Sequence, residues 1–571
     1  MPGTRAAVAT ERPPVAWRPL TLLAAGYAVV LLVASVGYGY HRDELYFIFL
    51  GSHPAAGYID QPPLAPLLAG LMDRLGGGSL PVLRAPAALA GGLIVLVTGL
   101  ITREVGGRRA AQLLAAASMA CSAILFAGSH LATTTIYDLL AWTILSWLVV
   151  RALRDGGRTW LLVGVGLGVA LENKSLVLFL VLALLIGVVA VGPRTLFTSR
   201  WVWLGALLTL ILWAPNVWWQ VTNGLPQLEM SQQIASGSSG TSAPRELLVP
   251  MQLVLVAPFL APIWLLGLWR LARDPRLLTW RCFAVAYPVV LAVVLVTGGK
   301  PYYVAGLHPV LLAAGSVPIA QWVGQLRRPV AFRWGLGLAL LASVAVNATL
   351  FLPVLPADRV QGTPVQAVNY DAGEQIGWPE LAAAVDSARH ALPAAEQPAA
   401  VALGANYGEA GAVARYLPSM AAYSGQNSMY ALGPPPESTR TAFVMGYPED
   451  KLRSWFHDVH RAGTIDNAAG IDNDEQGRPI WRCSGPTASW SRLWPRCAGS
   501  ADAPDDLARP AALDLVDEPR TSSSNDDRTH LSQALVSVGG SVYGRLAAGS
   551  RLGFAQSAQN MKCSPTSPCS G

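Results

Sequence analysis

Long intervals free of Asp, Glu, Lys and Arg alternate with short basic joints over residues 1–357 of this 571-residue chain. A helix needs about 20 apolar residues to cross roughly 30 Å of hydrocarbon. Intervals of that order run over Pro19 to Tyr40, Ala85 to Thr102, Ala110 to Tyr137, Ser175 to Pro193, Trp201 to Leu228, Leu247 to Trp269, Cys282 to Gly299, Pro301 to Leu326 and Trp334 to Ala357. Leu139 to Val150 and Thr159 to Leu171 are shorter and must take in flanking polar residues to span. The pattern predicts about eleven spanning helices in a domain over 19–357. After the first of them, LYFIFLGSHPAAGYIDQPPLAPLLAGLMDRLGG is apolar and amphipathic but broken by Pro and Gly. That combination predicts interfacial helices in a first outer loop, 41–84, in place of another span.

Past Ala357 the pattern turns polar with short apolar runs. EQIGWPELAAAVDSARHAL has helical spacing with Pro379 early, VALGANYGEAGAVARYL reads strand, turn, helix, and TAFVMGY reads strand. These predict a small α/β domain over 358–500 on the outer side. GANYGEAG lacks the spacing of a dinucleotide-binding loop, so its glycines read as turn formers. Tyr407, Glu409 and Tyr423 read as ordinary surface residues, with contact to an acceptor as the alternative. The segment 501–571 is rich in Ser, Asp, Ala and Gly, which predicts a disordered tail and leaves Cys563 and Cys569 without a role.

Composition agrees with the membrane reading: 52% of residues are hydrophobic and 13% charged, against about 25% charged in soluble chains. A net charge of +6 raises nucleic acid as a partner, but the arginines sit in short clusters between apolar runs, where they orient helices in a bilayer. No nucleic-acid partner is expected. With residues 1–18 in the cytoplasm, the inner joints hold Arg103, Arg108, Arg109, Arg151, Arg154, Arg158, Arg194, Arg200, Arg270, Arg273, Arg276, Arg281, Arg327, Arg328 and Arg333. The outer joints hold few cations, and adding or removing one middle helix would sharply weaken the asymmetry. No small-residue cleavage site follows the first apolar run, which reads as a retained anchor.

This topology gathers Asp43, Glu44, Asp138, Lys174 and Lys300 at the outer boundary. In HRDELYFIFL, Asp43 and Glu44 fit a helix start, where carboxylates meet unpaired amides and the positive end of the dipole. They also fit a site, because acids at a membrane boundary are costly to keep. Asp138 in TTTIYDLLAW carries the same two readings. Lys300 in GGKPYY is either a lysine snorkelling from a helix end or a contact for a lipid phosphate. Glu172 and Lys174 are two apart and do not share a helix face. His41, His53 and His130 join the acids on the outer side, but no HxxxH or HExxH spacing accompanies them. No cofactor is expected, with a divalent metal as the alternative. Cys121 and Cys282 fall in spans as packing residues. Cys483 and Cys497 lie in the expected oxidising compartment, with a disulfide open between them.

HRDELYFIFLGSHPAAGYIDQPPLAPLLA, followed by TTTIYDLLAW, LENKSLVL and GGKPYYVAGLHPVLLAAG, resembles bacterial members of glycosyltransferase family 39, relatives of protein O-mannosyltransferases and of the lipid A aminoarabinose transferase. The resemblance runs from about Tyr38 to Cys497 and takes in EQIGWPELAAAV, NYGEAGAVARYL, YSGQNSMYALGPPP and WRCSGPTASWSRLWP. It implies a polytopic α-helical membrane protein of the C-type glycosyltransferase fold, multi-pass in the plasma membrane, with its active face extracytoplasmic. The implied partners are a polyprenyl-phosphate-sugar donor, a protein, lipid or glycan acceptor, and membrane lipids. Asp43 matches the family's catalytic acid, which makes it the general base of an inverting transfer. Glu44 would orient the acceptor or a neighbouring base, with Asp138 as the third catalytic candidate. Lys300, Arg42 and Lys174 would hold the donor phosphate, and Tyr302, Tyr303 and His53 the substrate. The rival classes are a transporter or flippase, which would bury ionisable groups at the midplane, and a non-catalytic scaffold or receptor.

Overall fold

The computed structural model describes residues 12–236, 245–327 and 329–498. The expected tail, with Cys563 and Cys569, lies outside the described residues, as do residues 1–11 and Arg328. The chain opens with α1 (Trp17–Ala34), α2 (Arg42–Gly51), α3 (Leu64–Gly76) and α4 (Leu80–Glu104). Among the described residues six helices are long and apolar enough to cross a membrane: α1, α4, Thr134–Asp155, Arg200–Thr222, Pro301–Gln325 and Pro329–Phe351. Two bent pairs, Arg109–Ala120 with Ala123–Ser129 and Arg245–Val256 with Pro258–Arg273, raise that to eight if each is one span. Three shorter apolar helices, Thr159–Leu171, Val177–Val191 and Cys282–Thr297, fall on the other expected spans. The chain is a multi-pass membrane protein.

Helix α4 sets the scale of the bundle. Near its start Arg84 pairs with Glu44, and at its end Glu104 meets Arg12 at 3.3 Å, Arg103 at 3.1 Å and Arg154 at 2.6 Å. Twenty residues at about 1.5 Å each put the two clusters roughly 30 Å apart, which is the thickness of the hydrocarbon core. The Glu104 end carries the arginines expected on the inner side. The Glu44 end carries the candidate site.

At about 15 and 20 Å, α2 and α3 are too short to span. They pack on each other through Gly51 and Gly70, where a Cβ on Gly51 would stand 2.6 Å from the Gly70 Cα. Over them lies a five-stranded sheet of β1 (Val401–Gly404), β2 (Ala422–Ser424), β3 (Thr441–Met445), β4 (Phe456–Thr464) and β5 (Pro479–Pro486), in the order β2-β1-β3-β5-β4. β1 is parallel to β2 and β3, with Leu403 opposite Tyr423 and Val444. β5 is antiparallel to β3 and β4, and its Cys483 lies opposite Ala442 and Val459. β1 and β3 are buried along their whole length, as parallel strands covered on both faces must be. Helix Trp378–His390 starts with its Pro in the first turn, and helix Tyr407–Tyr416 starts in a reciprocal cap between Asn406 and Glu409.

The sheet region shares a core with the membrane domain, which the sequence pattern did not suggest. Leu45, Tyr46 and Leu50 of α2 pack with Trp378, Val385, Val413 and Phe443. Two glycines read as turn formers do something else: Gly408 and Gly411 lie inside the Tyr407–Tyr416 helix. A Cβ on Gly408 would come within 2.9 Å of the Arg42 Cβ, and one on Gly411 within 3.0 Å of the Leu45 Cβ. Their missing side chains let this helix lie directly on α2. Cys121, Cys282, Cys483 and Cys497 are all buried free thiols.

Candidate active site

The start of α2 organises the site. His41 caps the helix: its Nδ1 accepts from the Asp43 amide at 3.2 Å, while its own amide donates to Glu44 Oε2 at 2.9 Å. Glu44 then turns inward and is fully buried. Arg84 donates to both of its oxygens at 2.8 Å, and the Ala132 amide donates to Oε1 at 2.9 Å. Burial opposes the charge, but Arg84 and the two amides hold the carboxyl below its usual range. Glu44 is therefore spoken for, and its geometry departs from the expectation that it orients an acceptor. It fixes α2 against α4 and the Ala132 loop, and thereby fixes its neighbour.

Asp43 points the other way and is half-buried. The Tyr407 hydroxyl, reaching down from the sheet region, donates to Asp43 Oδ1 at 2.8 Å. Tyr407 stacks on Tyr46, with ring centroids 4.5 Å apart. Tyr46 donates to Asp60 Oδ1 at 2.8 Å, and the Ser428 hydroxyl donates to the same oxygen at 2.9 Å. Burial raises Asp60 above the ordinary carboxyl value, and the nearby charge of Asp43 adds to this. The sequence reads Tyr407 as a surface residue, with acceptor contact as the alternative; here it instead braces Asp43. Its role depends on a contact across 364 positions of sequence, which no local pattern encodes.

Lys300 is brought to the same place. It is buried at the entry to the Pro301–Leu307 turn, close enough to Asp371, Lys174, Asp43 and Arg42 to feel their charges. Burial lowers its pKa to about 8, against the opposing pull of Asp371. Lys174 lies over the rings of Tyr302 and Tyr303, at 5.7 and 5.2 Å from their centroids. It also acts electrostatically on Asp138. Asp138 is buried in the second turn of its helix and accepts from the Trp142 indole at 3.1 Å. A small cavity joins Asp138, Tyr302, Tyr303 and Thr135. Asp43, Asp138, Lys174, Lys300, Tyr302 and Tyr303 thus form one neighbourhood.

Two candidates are placed differently. Arg42 turns toward the sheet region, where it meets Glu374 at 3.2 Å and Asp474 at 3.7 Å and lies 5.6 Å from the Tyr370 ring centroid. It is close enough to Asp43 to interact electrostatically, but its nearest carboxylate partner is Glu374. His53 lies beyond the far end of α2, exposed, with Nδ1 3.0 Å from the Phe49 carbonyl. Ten residues of helix put it about 15 Å from Asp43, so it does not join the site.

Residues the sequence did not single out complete the surround. Asp371 approaches His41 Nε2 at 3.6 Å. Burial opposes a charge on His41, but the Asp371 and Asp43 carboxylates outweigh it and raise the imidazole pKa. A lone Arg84 before a long apolar run was the one visible signal for the Glu44 partner. Among the described residues no three of His, Cys, Asp and Glu converge as metal ligands.

Residues 60–219 match the family described as dolichyl-phosphate-mannose-protein mannosyltransferase. No curated protein matches the chain. Among solved structures, ArnT from Cupriavidus metallidurans in the apo state is similar over 81% of this chain and 97% of that one, with a TM-score of 0.57 at 14% identity. ArnT from the same organism bound to undecaprenyl phosphate covers 82% and 98%, with a TM-score of 0.55 at 15% identity. The resemblance to family 39 read from the sequence therefore recurs in a family match and in a shared C-type fold.

Proposed function

We propose that this chain is a membrane glycosyltransferase that moves a sugar from a polyprenyl-phosphate donor to an acceptor hydroxyl at the extracytoplasmic face of the plasma membrane. The observation that carries the reading is that Asp43, held by the Tyr407 hydroxyl at 2.8 Å, lies close enough to the buried Lys300 for their charges to interact. The similarity to ArnT, one structure of which holds undecaprenyl phosphate, supports the lipid class of the donor.

In this reading the acceptor O–H gives its proton to the Asp43 carboxylate as its oxygen bonds to the anomeric carbon. The bond from that carbon to the phosphate oxygen breaks, and its electron pair leaves with the polyprenyl phosphate. One displacement inverts the anomeric centre. Charge grows on the departing phosphate, where preorganised cations stabilise the transition state. Lys300 and Lys174 fill that role, and Tyr302 and Tyr303 line the side of the cleft shared with Asp138. Glu44 acts as a positioning residue, and Arg42 ties α2 to the sheet region. A transporter is disfavoured because these groups collect at one end of the bundle, while α4 between Arg84 and Arg103 carries no charge.

The test is to incubate purified protein with a panel of radiolabelled polyprenyl-phosphate sugars and follow donor consumption. One donor is expected to be consumed, with or without chelator, and Asp43→Asn is expected to abolish transfer while the protein stays folded. Undiminished turnover in Asp43→Asn would remove Asp43 from the mechanism. Loss of turnover in chelator would replace the metal-free reading.

A further inference from the structure

Asp60 is a half-buried carboxylate that the transfer reaction leaves unused. It sits in the stretch GYIDQPPL between α2 and α3, and the loop that carries it is fastened to the bundle from behind. Asn216 Nδ2 donates to the Ala56 carbonyl at 3.1 Å, and Gln220 Nε2 and Gln227 Nε2 both donate to the Tyr58 carbonyl at 3.3 Å. Asn216 and Gln220 are the buried polar residues at the outer end of the span Arg200–Thr222. Polar side chains are costly in a spanning helix unless they find partners, and these two find theirs in the backbone of the loop. Asp60 therefore stands on a fixed support.

From that support Asp60 fixes two hydroxyls. Tyr46 and Ser428 both donate to its Oδ1, at 2.8 and 2.9 Å. Each hydroxyl also accepts: the Ser428 amide donates to the Tyr46 hydroxyl at 3.0 Å, and the Ile59 amide donates to Ser428 Oγ at 2.9 Å. A hydroxyl carries one proton, so an amide proton arriving on the oxygen leaves the hydroxyl's own proton to point at the carboxylate. Asn427 sends Nδ2 to 3.5 Å from Asp60 Oδ2, out of a backbone with φ +50° that Asn adopts more readily than most residues. One carboxylate thus ties α2, the first outer loop and the 426–428 turn of the sheet region.

Both holds on Tyr407 run back to this point. Its ring stacks on Tyr46, centroids 4.5 Å apart and planes 28° apart, and its amide donates at 3.0 Å to Gln426 Oε1, in the same turn as Ser428. A stacked pair resists tilting but leaves a ring free to slide, since stacking is worth only about 0.5–1.5 kcal/mol beyond the area it buries. Pinning the Tyr46 hydroxyl and the 426–428 turn removes the slide, and the Tyr407 hydroxyl stays 2.8 Å from Asp43 Oδ1. Burial, followed by the charges of Asp43 and Asp60, pushes the Tyr407 phenol well above its ordinary range against the opposing charge of Arg42. The phenol keeps its proton and can donate it in a hydrogen bond to Asp43.

We infer that Asp60 is a positioning residue: by fixing Tyr46 and Ser428 it aims the Tyr407 hydroxyl at Asp43, and it acts on sugar transfer through Tyr407 without touching donor or acceptor. Its effect on turnover rests on the glycosyltransferase reading, while the brace itself does not.

The experiment is a double-mutant cycle on full-length protein in detergent, with the polyprenyl-phosphate sugar that the parent consumes. It compares Asp60→Ala, Tyr407→Phe, the two combined, and Asp60→Asn, which keeps an acceptor oxygen. Asp60→Ala is expected to lower kcat about 10-fold with the donor KM within about twofold of the parent. In the Tyr407→Phe background the same change should cost less than about twofold, because residues acting through one contact are not additive. Asp60→Asn should recover kcat to within about threefold of the parent, since its carbonyl oxygen accepts the same two bonds. Hydrogen exchange at the Tyr407 and Ser428 amides, measured without any ligand, should quicken about 10-fold in Asp60→Ala. If Asp60→Ala misfolds, Ser428→Ala takes its place and removes one donor to Oδ1. Penalties that multiply, parent-like kcat in Asp60→Ala, an Asn variant no better than Ala, or unchanged exchange would each overturn the inference. Quickened exchange in a protein that consumes no donor would leave the brace standing and overturn the proposed reaction.

Discussion

Replacing Arg84 by Met removes the guanidinium from beside Glu44 while keeping much of the side chain's length. Glu44 accepts four hydrogen bonds, from Arg84 twice and from the amides of His41 and Ala132. Bonds to a charged group are worth about 1.5–3 kcal/mol each, so losing two removes about 3–6 kcal/mol. Independently, breaking a buried ion pair by removing one partner costs about 3–5 kcal/mol. The two routes overlap at about 3–5 kcal/mol of lost stability.

The pH dependence gives the signature. In the parent the Glu44 pKa is depressed, so its contribution is present above the ordinary carboxyl range and is lost as pH falls through the folded value. In Arg84→Met, burial acts with only two amides against it, and the folded pKa rises above the unfolded one. The variant then regains stability as the carboxyl takes up a proton, so its deficit shrinks between about pH 8 and pH 5. Equilibrium unfolding in mixed micelles at both ends of that window measures this. Adding Glu44→Gln should recover a good part of the loss, because the amide carries no charge to strand. Turnover should fall about 100-fold, the usual result of a misplacement near 1 Å at a reacting group. A deficit under about 1 kcal/mol, or one that grows on acidification, would refute the view that this pair locks the start of α2.

Three further outcomes are expected. If Lys300 must be protonated to hold the departing phosphate, turnover falls through a limb near pH 8, the value set by its burial. Lys300→Arg moves that limb beyond about pH 12, because guanidinium does not titrate in this range, and an unmoved limb assigns it to another group. Tyr407→Phe deletes the donor to Asp43 Oδ1, a bond worth about 1.5–3 kcal/mol. It should lower kcat about 10- to 100-fold with the donor KM unchanged, and equal kcat would show that Asp43 needs no such support. His53→Ala should transfer sugar as the parent does, and a loss would place His53 nearer the chemistry than the far end of α2 allows.

What the sequence determined alone is whatever a local pattern can carry. Apolar runs of membrane length and the clustering of arginine set the spans, since a helix in lipid must satisfy its backbone internally and be apolar all along. The runs over Val401–Gly404 and Thr441–Met445 announced buried strands in the same way. β4 and β5 escaped notice because FHDVHRAGT and PIWRCSGP mix polar residues on both faces, so no continuous apolar run marks them. Tertiary structure alone decided which of two adjacent acids is free. Asp43 and Glu44 look alike in a helix start, yet a rotation of about 100° between successive residues turns Glu44 into the Arg84 lock and Asp43 toward Tyr407. Pairings between residues dozens to hundreds of positions apart leave no periodic trace in a chain, because they are specified by where whole helices come to rest.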